Sequence, residues 1–160
     1  MTTIYRGLKT FAVCTLLFAT LGHAKATIVT LSELVTQSQV IVYGRVVGSP
    51  AALSPQSKVR FEVSTVFKGD SLVHDGAVLL CNSRPNSEWP DVSKVAGNSV
   101  LFLAQKEGCL ELSHSYRALL KVQGDQISTV TIEDQPDSQP LDQFFKKVQA
   151  LVCNQSMSQP

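Results

Sequence analysis

The sequence lacks any apolar stretch long enough to cross a bilayer as a helix, which takes about 20 consecutive apolar residues. Its longest apolar run, Phe11–Leu21, has roughly half that length. Charged residues make up only 17% of the chain, and 14 Lys and Arg stand against 13 Asp and Glu. We therefore expect no stable membrane span and no strong field for nucleic acid or anionic lipid.

Motifs for catalysis, metal binding and phosphate binding are also missing. Cys-x-x-Cys, His-x-x-x-His, Gly-x-Ser-x-Gly and a phosphate-binding glycine loop do not occur. The compact group Ser113-His114-Ser115 could pair a nucleophile with a base, but adjacent residues of a strand point to opposite faces. We therefore expect His114 to be a surface histidine, and we predict a non-enzymatic protein without metal or cofactor.

The N-terminus has the organisation of an export signal. Arg6 and Lys9 precede the apolar run, and Ala24-Lys25-Ala26 supplies small residues where a signal peptidase cuts. We expect residues 1–26 to be a signal peptide cleaved after Ala26, with Ala24 as the alternative, and the protein to be periplasmic or secreted. Cleavage after Ala26 leaves 134 residues, 11 basic and 13 acidic, which is enough for one domain with a formal charge of −2.

Cys81, Cys109 and Cys153 remain after removal of the signal. An oxidising compartment favours one disulfide among them. We favour Cys81 with Cys109 because both lie at ends of predicted strands, which leaves Cys153 as a free or intermolecular thiol. The alternative is three reduced, partly buried cysteines.

Hydrophobic patterns predict short strands between two terminal helices. Thr30-Leu-Ser-Glu33 has the form of a capping box and predicts a short helix over 31–37. Strands are predicted over 40–47, 59–65, 77–80, 100–104, 109–112, 119–122 and 126–132, with a bulge near Val66-Phe67 and a long loop over 82–98. This order favours a small antiparallel barrel or sandwich, and we predict a mainly β, OB-like barrel of five to seven strands.

The C-terminal part begins with a polar linker over 133–140. Leu141, Phe144, Phe145, Val148, Leu151 and Val152 then follow at helical spacing and predict an amphipathic helix. We expect its apolar face to pack against the sheet, the alternative being a face that binds a partner or a membrane. The predicted organisation is one domain over 27–153 followed by a flexible tail over 154–160.

Three segments together carry a family resemblance: Val40-Ile-Val-Tyr-Gly-Arg-Val-Val47, Val59-Arg-Phe-Glu-Val-Ser-Thr-Val-Phe-Lys-Gly-Asp70 and Gly97-Asn-Ser-Val-Leu-Phe-Leu103. Residues 38–132 resemble netrin-like domains, which are related to tissue inhibitors of metalloproteinases and also occur in bacterial exported proteins. The resemblance implies an OB-type barrel and a module that binds or inhibits another macromolecule. Those inhibitors present an N-terminal cysteine to the catalytic zinc. Thr27, or Lys25 under the alternative cleavage, stands there instead, so this mechanism does not transfer.

The long loop supplies the candidate binding site. Arg84, Pro85, Trp89 and Pro90 combine the aromatic and arginine anchors that are common in protein interfaces. We predict that they contact a protein in the envelope or extracellular space. The alternatives are that Trp89 folds back over the barrel end as a plug, or that the barrel mouth binds a small molecule or a glycan.

Overall fold

The computed structural model describes residues 29–47, 58–81 and 90–157, so the predicted signal peptide and Thr27 lie outside the described residues. Eight strands and two α-helices occur in these ranges. The strands are β1 (Val40–Val47), β2 (Lys58–Lys68), β3 (Ala77–Cys81), β4 (Asn98–Lys106), β5 (Cys109–Leu112), β6 (Leu119–Gln123), β7 (Gln126–Ser128) and β8 (Ser138–Pro140). The helices are α1 (Leu31–Gln37) and α2 (Leu141–Met157), and short 3-10 helices cover Asp70–Leu72, Val92–Lys94 and Ser115–Ala118.

Five of the strands close into a barrel. β1 pairs with β2 on one side and with β4 on the other, which closes the order β1-β2-β3-β5-β4. The pairs are antiparallel except β3 with β5, which is parallel and has a single register pair, Leu80 with Leu110. We call this junction the β3–β5 seam. The predicted small OB-like barrel is confirmed, and β6, β7 and β8 extend from β4 as additional strands.

Buried and exposed residues alternate along β2, and the exposed ones form part of the candidate site described below. Val59 and Phe61 are buried, whereas Lys58 and Arg60 are exposed, as the period of two predicts. The pairing of β1 with β2 contains two register shifts. One of them leaves Phe67 without a partner on β1, which confirms the predicted bulge.

The capping box of α1 forms as predicted. The Thr30 hydroxyl accepts from the Glu33 amide at 3.2 Å, and Glu33 Oε2 accepts from the Thr30 amide at 2.9 Å. The Thr30 amide and, at 3.1 Å, the Thr30 hydroxyl both donate to the Glu33 carboxylate, and these hydrogen bonds lower the pKa of Glu33. Asp134 Oδ1 accepts from the Leu31 amide at 2.9 Å, which ties the start of α1 to the segment after β7. Leu34 is completely buried, so the helix is anchored in the core.

The apolar face of α2 packs on the barrel, as predicted. Phe144 is completely buried, and the Phe145 ring makes edge-on contacts with Tyr43 at 5.2 Å and with Phe67 at 4.8 Å between centroids. The helix continues through Met157, four residues into the segment over 154–160 that we expect to be a tail. In the described ranges, no helix has both the length and the apolar character needed to span a membrane.

The expected linker over 133–140 contains a strand. Its last three residues form β8, which pairs with β7. Gln139 is buried there, because its amide oxygen accepts from Lys147 at 2.8 Å and its amide nitrogen donates to Gln135 at 3.2 Å. A polar side chain with such partners is compatible with burial, so composition alone is misleading here. β7 is correspondingly shorter than predicted and ends at Ser128.

Candidate functional site

The predicted binding loop is described only at its C-terminal end. Arg84, Pro85 and Trp89 lie outside the described residues, whereas Pro90 is described and half-buried. Asp91 then starts a 3-10 turn in which its carboxylate accepts from the Ser93 amide at 3.1 Å. The hydrogen bond from the Ser93 hydroxyl is the main cause of the lowered pKa of Asp91. The loop thus returns to the barrel at a fixed turn, and its role as a binding site stays a prediction.

The predicted disulfide joins Cys81 to Cys109, with their Cα atoms 5.4 Å apart. Cys81 ends β3 and Cys109 begins β5, so the bond crosses the β3–β5 seam beside its single register pair. Cys153 is a free thiol on the exposed side of α2, as the preferred pairing requires. The disulfide also marks the point where the predicted loop leaves the sheet.

A surface depression lies over the outer side of β3, next to this disulfide. It has a volume of about 330 Å³. Leu79 supplies aliphatic surface and is 48% exposed although it belongs to a strand, whereas Val78 and Leu110, which also line the depression, are buried. His74 lies on one wall, and the disulfide residue Cys109 lies on the other. We call this depression the β3 hollow.

Two tight turns form the walls of the β3 hollow. Between β2 and β3, His74 and Ala77 exchange backbone hydrogen bonds of 2.9 Å in both directions. The two residues between them, Asp75 and Gly76, have φ angles of 50° and 66°, as in the hairpin turns that need left-handed backbone. Opposite, β4 and β5 are joined by two residues rather than the predicted four, because β4 continues to Lys106. Both walls are therefore set by backbone geometry.

Arg60 lines the β3 hollow, and three further cations, Lys58, Lys106 and Arg45, belong to β2, β4 and β1. Lys58 donates to the carbonyl of Gly108 at 2.7 Å, and Lys106 donates to Glu111 at 2.7 Å, which raises the pKa of Lys106. The Arg45 guanidinium lies 3.3 Å from the carboxylate of Glu62. These interactions hold three of the four cations in place.

Arg60 is the fourth cation. Its guanidinium makes one long hydrogen bond, 3.4 Å, to the backbone carbonyl of Asp75. Among the described residues, no carboxylate forms an ion pair with it. Arg60 also lines a second, more polar depression of about 430 Å³ that includes Arg45 and Glu62. It therefore stands between an aliphatic surface and a polar one.

The group around His114 does not have the arrangement of a nucleophile and its base. The Ser113 hydroxyl forms a 2.9 Å hydrogen bond with the Ser38 hydroxyl, which donates to the Leu34 carbonyl. No hydrogen bond joins His114 to Ser113 or Ser115 in the described part of the chain. The described residues also contain no group of three or more metal-ligating side chains close enough to share an ion.

Sequence analysis did not predict the β3 hollow as a site, although it predicted the strand β3 on which the hollow lies. The run Ala77-Val-Leu-Leu80 predicts a strand, but four consecutive apolar residues do not show which side chain points outward. Pairing with β2 supplies that information, because Leu79 lies opposite the exposed Arg60. The two turns that form the walls come together only through the barrel closure.

Comparison of the chain with models of protein families, with curated proteins and with solved structures gave no match.

Proposed function

We propose that this protein is an exported, non-enzymatic binding module that recognises a protein partner, and that the partner contacts the β3 hollow. The observation that carries the proposal is the half-exposed Leu79 on β3, directly opposite Arg60 of β2. Arginine is enriched at protein interfaces, and the fully buried centre of an interface is more apolar than the rest of the protein surface.

The position of the hollow in the barrel supports the proposal. OB-type barrels bind oligonucleotides and oligosaccharides on the face of strands 2 and 3 and through the loops between strands 1 and 2 and between strands 4 and 5, so this face is a known ligand-binding face of the fold. β2, β3 and the β4–β5 turn are the elements that line the β3 hollow. The predicted export signal and the disulfide are consistent with action in an oxidising compartment.

Affinity capture with matched variants tests this proposal. Leu79→Asp places a charge in the hollow, and Val130→Asp is the control because Val130 is 66% exposed outside it. Proteins from the cell envelope and the medium are captured on each variant and compared by mass spectrometry. We expect a stoichiometric partner on the native protein and on Val130→Asp, and its loss on Leu79→Asp. Equal capture by all three proteins, or no partner on any of them, would refute the proposal.

Trp89→Ala belongs in the same experiment, because it tests the predicted loop independently. The loop leaves β3 at Cys81, whose disulfide partner Cys109 lines the hollow. A partner that is lost on both Trp89→Ala and Leu79→Asp would place the loop and the hollow in one interface. A partner that depends on Leu79 alone would restrict the interface to the hollow.

A second candidate function is binding of a small molecule in the same place. The volume of about 330 Å³ is at the lower end of the range for small-molecule sites. Trp89 is the single tryptophan of the chain, so a change in its fluorescence on addition of candidate compounds indicates that a compound binds the protein. A compound whose binding is lost in Leu79→Asp, without a captured protein, would favour this alternative.

A further inference from the structure

Arg60 is the centre of a row of three side chains across the outer face of the barrel. The register pairs it with Val47 of β1 on one side and with Leu79 of β3 on the other. Val47 is 37% exposed and Leu79 is 48% exposed, and both belong to the small set of large apolar side chains that reach solvent. Neighbouring strands lie about 4.8 Å apart, so the row spans about 10 Å. We call it the outer row.

The charge at the centre of the outer row is available to a ligand. The other three cations nearby are held by Glu62, Glu111 and the Gly108 carbonyl. The Arg60 side chain is exposed, and among the described residues its donors have only the long contact with the Asp75 carbonyl. A guanidinium presents a planar set of donors that matches a carboxylate with two parallel hydrogen bonds.

The surroundings limit the number of acidic groups that a ligand can bring. Asp75 lines both depressions beside Arg60, and Glu62 lines the polar one. Glu62 is paired with Arg45, so Asp75 is the carboxylate that repels a second acid close to the first, since like charges at short range are unfavourable. The outer row therefore suits one carboxylate between apolar groups and disfavours a polyanion such as a nucleic acid.

We propose that the outer row binds a partner segment in which one Asp or Glu stands between two apolar side chains. The carboxylate pairs with Arg60, and the apolar side chains cover Val47 and Leu79. This inference rests on the proposed binding function of the same face and adds the chemistry of the bound segment.

Selection from a random peptide display library tests the inference. The purified protein is panned in parallel with Arg60→Glu, Arg60→Gln and Leu79→Asp. Lys146→Glu is the charge-reversal control because Lys146 is 80% exposed on α2. We expect peptides selected on the native protein to contain an acidic residue flanked by apolar ones. Their binding should fall about tenfold or more in Arg60→Gln, as expected for the loss of a charge-assisted hydrogen-bonded pair, and stay unchanged in Lys146→Glu.

Arg60→Glu gives the sharpest comparison, because it should select peptides with Lys or Arg at the same central position. Peptides that depend on Leu79 but show no acidic preference would overturn the inference and leave the proposed binding face intact. Peptides that are indifferent to both positions, or the absence of any selected peptide, would overturn the inference and count against the binding face as well.

Discussion

The disulfide across the β3–β5 seam should provide a large part of the stability of this barrel. Cys81 and Cys109 are separated by 28 residues, and the chain-entropy relation for a loop of that length gives about 3.6 kcal/mol at 25 °C. In the described residues, backbone pairing closes the seam at one register pair, Leu80 with Leu110. We therefore expect Cys81→Ala/Cys109→Ala to lower the free energy of unfolding by about 3.6 kcal/mol.

Urea denaturation followed by circular dichroism measures this loss. The experiment is done in a Cys153→Ser background, so that no thiol exchange interferes, and Cys153→Ser alone is the control. Because Cys153 is exposed and free, the control should stay within about 0.5 kcal/mol of the native protein. The corresponding decrease in Tm is about 10–20 °C for a domain of this size.

The denaturation data distinguish two outcomes. A loss below about 1 kcal/mol would refute the entropic reasoning and would mean that the core closes the seam unaided. A loss of the expected size with a steeper slope against urea would support the entropic reasoning, because the unfolded chain expands once the crosslink is removed.

Three further perturbations test the rest of the fold. Gly44→Ala should destabilise by about 1–3 kcal/mol in urea denaturation, because its Cβ would overlap the carbonyl oxygen of Glu62; a neutral effect would contradict the close strand approach. Phe145→Ala should cost about 2–4 kcal/mol by removing the ring that packs α2 on the barrel, and an unchanged Tm would mean that this contact is unimportant. The Glu33 pKa is lowered in the folded state, so its carboxylate stabilises the fold above the unfolded pKa and that stability is lost as the pH falls through the folded pKa. Glu33→Gln should therefore be less stable than the native protein at pH 7 and should approach it at low pH, and a constant difference would contradict this linkage.

The regular elements of the barrel were predictable because local patterns determine them. The capping box at Thr30 and Glu33 and the alternation along β2 are short-range signals, and both appear in the structure at the expected positions. The bulge at Phe67 was also visible as a break in that alternation. The spacing of apolar residues in α2 likewise predicted a helix with a buried face.

The elements that sequence analysis missed depend on contacts between distant residues. β8 is a strand because Gln139 is paired with β7 and its amide is bonded to Gln135 and Lys147, which a polar composition does not reveal. The β3 hollow needs the β2–β3 turn and the β4–β5 turn on opposite sides of Leu79. The closure of the barrel creates that arrangement, and no local stretch of the sequence indicates it.

The alternation of β2 and β3 also separates the proposed binding surface from the residues that stabilise the barrel. Val59, Phe61 and Leu80 are at most 2% exposed and form the core, whereas Arg60 and Leu79 occupy the opposite face of the same strands. Burial of the first set supplies the hydrophobic stabilisation, and substitution of exposed positions usually changes stability by no more than about 0.5 kcal/mol. Variants at Arg60 and Leu79 should therefore keep the fold. A loss of binding in those variants can then be attributed to the missing contact rather than to unfolding.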